Sequence, residues 1–255
     1  MRVVITGGAS GIGRATVEKL LERGHHVTVI DNDSEALEEL PGEVERHEID
    51  VRDDELSSFL EEREIDVLVN CAGFQEQGSV EDMPLETFEK HVEVNYLGTV
   101  RAIKACLPRL KESGGRIVNI SSLAGRMTVP FLGAYSASKY AVEGFSDALR
   151  MELAGSGVET VIVEPGPVKT GFNEQARDAL ERYLPGTDYE ERYRERLGSD
   201  MEGVEPEKAA DVVVKAVESD RPKARYTVTW QAWLGPKLKL LLPVAIYDYL
   251  AGKLT

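Results

Sequence analysis

Short β-branched runs alternate with longer segments whose apolar residues recur at helical spacing through most of this chain. The strand candidates are Arg2–Thr6, Val27–Asp31, Val44–Ile49, Val67–Asn70, Arg116–Ile120, Val158–Val163 and Tyr226–Thr229. Between them Gly11–Arg23, Ser34–Leu40, Asp53–Glu62, Leu85–Lys111, Ala134–Leu153 and Pro206–Ser219 read as helices. Val67-Leu68-Val69 and Val161-Ile162-Val163 are apolar without alternation, as strands covered on both faces are. The pattern therefore predicts an α/β fold: one domain built on a doubly wound, Rossmann-type parallel sheet of about seven strands, with helices on both faces. Two stretches break the rhythm. Gly171 to Glu205 is highly charged and lacks a strand, which predicts a mobile lid over a substrate. Trp230 to Thr255 is rich in Trp, Leu and Pro. It is expected to pack as a C-terminal extension, closing an apolar pocket or covering a subunit interface.

Composition narrows the partners. The 255 residues carry a formal charge of −15, a surface expected to repel nucleic acids and anionic lipid headgroups. The acidic excess serves solubility or reflects a salty host. Cys71 and Cys106 have no framework spacing, which predicts reduced thiols and a cytoplasmic protein. The chain enters its first strand at Arg2, leaving no room for a signal peptide. Leu238 to Leu250 is interrupted by Lys239, Pro243 and Asp248, so no membrane span is expected. His25, His26, His47 and His91 do not cluster with other ligands, so no metal is expected either.

The first strand runs into Thr6-Gly7-Gly8-Ala9-Ser10-Gly11-Ile12-Gly13, and a helix follows. Glycines in such a turn let backbone N–H groups approach a pyrophosphate, and the helix N-terminus adds donors and partial positive charge. The second strand ends at Asp31, whose carboxylate can accept hydrogen bonds from adenosine ribose hydroxyls. A 2′-phosphate facing it at 4 Å would cost about 4 kcal/mol per unit charge at an effective dielectric near 20, roughly a thousandfold bias. No basic residue stands at Ser10 or Asn32 to offset this, so NAD is the expected cofactor.

In Tyr135-Ser136-Ala137-Ser138-Lys139 the phenol and the ammonium share one helical face. A strand ending Asn119-Ile120-Ser121-Ser122 precedes them, and reactive groups collect at strand carboxyl ends in open α/β sheets. With these motifs the chain resembles the short-chain dehydrogenase/reductase family from Arg2 to Thr170, and more weakly beyond. The resemblance implies a dinucleotide loop at Thr6–Gly13, with Gly7, Ser10, Gly11, Ile12 and Gly13 in contact. It implies that Asp50 and Val51 face adenine, and that Asn70, Ala72 and Gly73 line the cofactor. It implies that Pro165, Gly166, Val168 and Thr170 hold the nicotinamide carboxamide. Asn95, Ser122, Tyr135 and Lys139 correspond to the family's catalytic tetrad, with Tyr135 and Lys139 also touching the cofactor. Cys71 stands where many relatives have a second Asn.

The implied chemistry is hydride transfer between nicotinamide and a secondary alcohol or ketone. Tyr135 acts as acid or base, Ser122 binds the substrate oxygen, and Asn95 holds a water that links Lys139 to solvent. An ammonium about 4 Å from the phenol would favour phenolate by roughly three pKa units. Met127, Val129, Pro130, Phe131, Leu132 and Phe74 are candidates for an apolar wall, which favours a steroid- or lipid-like substrate. A non-catalytic NAD sensor and a sugar-nucleotide epimerase or dehydratase are the alternatives. The family resemblance also implies a homodimer or homotetramer.

Overall fold

A computed structural model describes residues 1–199 and 203–252, without the side chains of 172–175. Its strands are β1 (Arg2–Thr6), β2 (His26–Asp31), β3 (Glu45–Glu48), β4 (Val67–Asn70), β5 (Arg116–Ile120), β6 (Glu159–Glu164) and β7 (Arg225–Thr227). They form one sheet in the order β3-β2-β1-β4-β5-β6-β7, parallel at every pairing. The chain passes from β3 across to β4 on the other side of β1, so the topological switch point lies between β1 and β4. Thr6 pairs with Asn70 and Asn70 with Asn119, which sets the carboxyl ends of β1, β4 and β5 in one row.

The helices on one side of the sequence midpoint are α1 (Gly11–Glu22), α2 (Ser34–Glu38), α3 (Asp54–Glu61), α4 (Leu85–His91) and α5 (Thr99–Ser113). The later ones are α6 (Gly133–Glu152), α7 (Gly171–Tyr183), α8 (Glu190–Gly198), α9 (Pro206–Glu218), α10 (Trp230–Leu241) and α11 (Val244–Gly252). Because successive strand residues face opposite ways, the sheet builds two cores. Val3, Ile5, Val29, Val69 and Val163 pack with Val17 and Leu20 of α1 and Val213 and Val217 of α9. Val4, Ile30, Leu68 and Ile117 pack with Leu56 and Leu60 of α3, Ile103 and Leu110 of α5 and Leu149 of α6. Each such side chain removed from water is worth about 1.5–3 kcal/mol.

One expectation is corrected. The segment expected as one helix over Leu85–Lys111 is broken: Val92–Gly98 winds as a π-helix between α4 and α5. The stretch from Gly171 to Glu205 lacks a strand, as expected; α7 and α8 occupy it, and Val204 bridges Val168 in parallel. Residues 200–202 of that stretch, and 253–255 of the tail, lie outside the described residues. The tail packs on the domain in part, burying Ala232, Pro236 and Ala251. Helices α10 and α11 leave Trp230, Trp233, Leu240, Leu241 and Val244 exposed.

Charges pin the last strand to the helix that carries the Tyr–Lys pair. Arg225, opening β7, reaches Glu143 at 3.0 Å and Asp147 at 2.7 Å on α6, and Glu164 at 3.1 Å on β6. Arg126 adds a second contact to Glu164 at 2.9 Å. Glu143 and Glu164 are both buried, and burial raises the proton affinity of Glu143. Removing the cation strands these carboxylates. Arg225→Met should lower stability by about 3 kcal/mol at neutral pH. A carboxyl with a raised folded-state pKa destabilises increasingly as pH rises, so the loss should shrink on acidification. Urea midpoints of both proteins at pH 7.5 and pH 5 measure it, and equal losses at the two pH values would refute the assignment.

Candidate active site

The turn after β1 is shaped by steric necessity. Gly7 has φ +67°, and a Cβ there would sit 2.5 Å from the Ala72 Cα. A Cβ on Gly13 would lie 2.0 Å from the Gly7 carbonyl oxygen. Side chains at either position would push α1 off the strand ends, so the N-terminus of α1 stays over the row of β1 and β4. Ser10 caps α1 without spending its side chain, and Ile12 packs on the core below. Thr170, the cap of α7, brings its methyl 3.2 Å from where a Gly11 Cβ would stand. The Pro165–Thr170 segment thereby closes over the turn, tied also by Leu123 N–H donating to the Pro165 carbonyl at 2.7 Å. Gly166 lies against Thr229, and Val168 is buried. These residues fit a dinucleotide: a cradle that side chains would fill, backed by a twelve-residue helix.

Asp31 accepts from the Ala9 N–H at 2.9 Å and from the Asp33 N–H at 3.2 Å. Asp33, not Asp31, caps α2, accepting from Ala36 N–H. The Asp31 carboxylate is thus fixed at the rim of the cradle. Nearby cations are taken: Arg14 pairs with Glu18 and Glu39, and Arg52 with Asp50. Asp50 is held below the usual carboxylate range, chiefly by its Arg52 hydrogen bonds. Val51 is buried, part of the core beneath the site. At the switch point Asn70 donates to Asn119 at 2.8 Å, and Asn119 to Ser146 at 2.8 Å, which ties β4 and β5 to α6. Gly73 follows, with its Cα beside the Asn95 side chain.

Tyr135, Lys139, Ser122 and Asn95 come together at the end of β5. Tyr135 and Lys139 lie on the first turns of α6, both buried. Lys139 Nζ donates to the Ile120 carbonyl at 2.9 Å and lies 5.8 Å from the Tyr135 ring centroid. Asn95, in the π-helical turn, accepts from Phe74 N–H at 2.9 Å and donates to the Phe74 carbonyl at 3.0 Å and to Ser138 Oγ at 2.9 Å. Ser138 in turn donates to the Tyr135 carbonyl at 2.7 Å. Asn95 therefore braces the loop after β4 against α6. A π-turn is the device that rotates one residue into such a role, and these turns are frequent at functional sites.

Electrostatics correct one expectation. Burial pushes the Tyr135 phenol up to about 12, outweighing the hydrogen bond from Ser122 that pulls it down. Burial thus acts against the lowering expected from Lys139. The ammonium donates to the Ile120 carbonyl, and burial brings Lys139 itself down to about 8. Desolvation also pushes the Cys71 thiol up to about 12.

Sequence reasoning missed several neighbours. His91 stacks on Phe74 at 4.3 Å and meets the Tyr135 ring edge-on at 6.4 Å. Burial keeps it neutral, and its ring nitrogens are engaged by the Thr87 carbonyl and the Glu76 N–H. Phe131, expected on a substrate wall, is instead buried with Leu180 and Tyr193 beneath α7 and α8. Those helices are latched to the loop after β4: Asp82 accepts from Thr187 and Tyr193 at 2.6 Å each, and Glu76 from Tyr183 and Arg182. Ser138, three residues after Tyr135, carried a local signal, whereas the latch joins residues about a hundred positions apart.

Comparison with known proteins agrees with this geometry. The family profile described as short chain dehydrogenase matches residues 1–181. The chain is 36% identical to a probable short-chain type dehydrogenase/reductase, VdlC, of Helicobacter pylori, over 97% of this chain and 95% of that one. It is 35% identical to an NADPH-dependent 3-dehydrocapnine reductase of Ornithobacterium rhinotracheale, over 96% and 91% of the two chains. It is 32% identical to a 3-ketodihydrosphingosine reductase of Bacteroides thetaiotaomicron, over 94% and 89%. A solved short chain dehydrogenase of Burkholderia cenocepacia in complex with NADP superposes with a TM-score of 0.81 at 26% identity, covering 98% and 96%.

The burial of Lys139 generates a prediction. With lysine side chains labelled for NMR, one resonance should titrate near pH 8, well below the other lysines, and vanish in Lys139→Met. Uniform titration of every lysine above pH 10 would contradict the buried ammonium.

Proposed function

The chain belongs to the short-chain dehydrogenase/reductase family, and from that premise we propose that it reduces a hydrophobic secondary ketone with NADH, or runs the reverse oxidation with NAD. The observation that carries this reading is the buried Tyr135–Lys139 pair at the end of β5, with Ser122 hydrogen-bonded to Tyr135. Tyr135, neutral at every physiological pH, gives its proton to the carbonyl oxygen. Ser122 holds that oxygen as charge develops on it. Lys139, charged below about pH 8, stabilises the phenolate left behind, and Asn95 keeps the loop of Phe74 in place around them. A water held near Asn95 connects Lys139 to solvent. Nicotinamide supplies the hydride when bound. A phenol that keeps its proton favours the reductive direction, and the names of the capnine and sphingosine relatives also describe reductases.

In this reading the dinucleotide rests on Gly7, Ser10, Gly11, Ile12 and Gly13, with Asp31 on the ribose and Asp50 and Val51 toward adenine. Asn70, Ala72, Gly73, Pro165, Gly166, Val168 and Thr170 complete its contacts. NADPH and NADP belong to the named relatives. Here Asp31 stands at the cradle rim while Arg14 and Arg52 are paired with carboxylates, which supports NAD. The whole chain acts as one catalytic domain, with α7 and α8 as its lid. The apolar and aromatic residues on the loops around Tyr135, Phe74 and Met127 among them, support a lipid-like substrate. The two cysteines are free thiols, which suits a reducing cytoplasm. By family likeness the enzyme assembles as a homodimer or homotetramer, and light scattering at the 28.1 kDa monomer mass would rule this out.

Tyr135→Phe should reduce turnover more than tenfold, a loss above about 1.4 kcal/mol, while NADH affinity, read by fluorescence titration, stays near wild type. A variant that keeps more than about a tenth of the rate would remove Tyr135 from its role. Asp31→Ser should narrow the ratio of kcat/KM for NAD over NADP about tenfold or more, because it removes both the ribose hydrogen bonds and the repulsion of a 2′-phosphate. An unchanged ratio, measured at one salt concentration, would leave the cofactor choice without its main support.

A further inference from the structure

The two tail helices carry an apolar surface that is largely exposed among the described residues. Along α10 and α11, Trp230 is 69% exposed, Leu240 83%, Leu241 79%, Val244 74% and Tyr249 62%. Trp230, Trp233, Lys237 and Leu240 or Leu241 succeed one another three or four residues apart, a stripe down one side of the helical path of α10, and Val244 continues the exposed apolar surface at the start of α11. An exposed patch of this kind marks an interaction site. The opposite side of the path is anchored: Gly235 lies against Met127, Tyr247 Oη donates to the Thr128 carbonyl at 2.8 Å, and Lys239 reaches Tyr140. The patch is therefore held on the segment that leads into Tyr135, beside the mouth of the candidate site.

Its charge is opposite to that of the rest of the protein. From Trp230 onward the chain carries Lys237, Lys239 and Lys253 against Asp248 alone, within a molecule of charge −15. Lys237 lies over the Trp233 ring at 3.4 Å. Lys239, on the anchored side of α10, contacts a phenol and the Arg126 carbonyl, so Lys237 is the cation on the apolar stripe itself. Among the described residues neither is in an ion pair. Tryptophan and leucine interleaved with uncompensated lysine match the boundary between acyl chains and anionic headgroups. A second copy of the chain fits less well, because an apolar self-contact would leave the Lys237 ammonium at its core with no carboxylate of the stripe to pair with.

We infer that α10 and α11 dock the enzyme on the surface of an anionic phospholipid bilayer, without crossing it. The repulsion expected from the overall charge does not forbid this. At physiological ionic strength it is screened beyond about 8 Å, and only the basic patch comes that close. Docking would hold the mouth of the site at the depth where an amphipathic ketone resides. That consequence rests on the proposed substrate class, whereas the docking itself does not.

Both tryptophans of the chain lie in the patch, so intrinsic fluorescence reads it alone. With the full chain and vesicles of phosphatidylcholine containing phosphatidylglycerol, emission should shift to the blue and be quenched by brominated acyl chains. Pure phosphatidylcholine vesicles and high salt should weaken the effect. The double substitution Leu240→Asp, Leu241→Asp should lower vesicle binding at least about tenfold, since two leucines leave the acyl region. It should leave reduction of a short, water-soluble ketone unchanged, which also reports that the variant folds. No shift with anionic vesicles would overturn the proposal. So would a blue shift that follows protein concentration without lipid, which would assign the patch to a second copy. A shift that persists in an enzyme inactive on lipid ketones would uphold docking and count against the substrate reading alone.

Discussion

A lysine ammonium buried at the end of β5 is the constraint around which this site is arranged. Taking such a charge out of water is costly, and it persists only where the interior offers compensating oxygen. Here the Ile120 carbonyl supplies it at 2.9 Å, at the point where β5 stops and its last carbonyl is no longer needed by the sheet. The cost shows as the fall in proton affinity to about 8. The same burial drives the neighbouring phenol the opposite way, to about 12. Two groups that would differ little in water are thus set as a firmly protonated acid beside a cation that can stabilise its conjugate base.

The remainder of the fold keeps that pair where the dinucleotide cradle can use it. Parallel register puts Thr6, Asn70 and Asn119 in one row, so the glycine turn, the loop after β4 and the end of β5 open on the same side. Asn119 ties the row to α6 through Ser146, and Asn95 ties the loop after β4 to the same helix through Ser138. Around the same level as Ser146, Arg225 fastens the helix to β6 and β7 through Glu143 and Asp147. The helix bearing Tyr135 and Lys139 is thereby held both at Ser138 and around Ser146.

Much of this was legible in the sequence because it is local. The glycine spacing of Thr6–Gly13, the four-residue step from Tyr135 to Lys139 and the doubly apolar strands each encode their geometry within a few residues. What escaped depends on distant packing. The apolar periodicity of Leu85–Lys111 runs on through Asn95, and only the pull of Phe74 and Ser138 on its side chain accompanies the π-turn there. The proton affinity of Tyr135 was misjudged because proximity to Lys139 is a matter of spacing, whereas desolvation is set by everything packed around it. Phe131 looked like a pocket wall, yet it is covered by α7 and α8, which arrive about fifty residues later. The tail was legible only in composition: its apolar residues divide between a side packed on Met127 and Thr128 and a side left exposed, and that division depends on the fold.

The central claim is that a buried, charged Lys139 drives proton donation by Tyr135. The most direct test is the pH dependence of kcat/KM for ketone reduction in the wild type and in Lys139→Met. The account predicts a wild-type plateau below about pH 8 and a falling limb above it, where the ammonium is lost. It predicts a low and nearly flat profile for the variant over the same range. A wild-type profile level to pH 10, or a limb that survives in Lys139→Met, would contradict it.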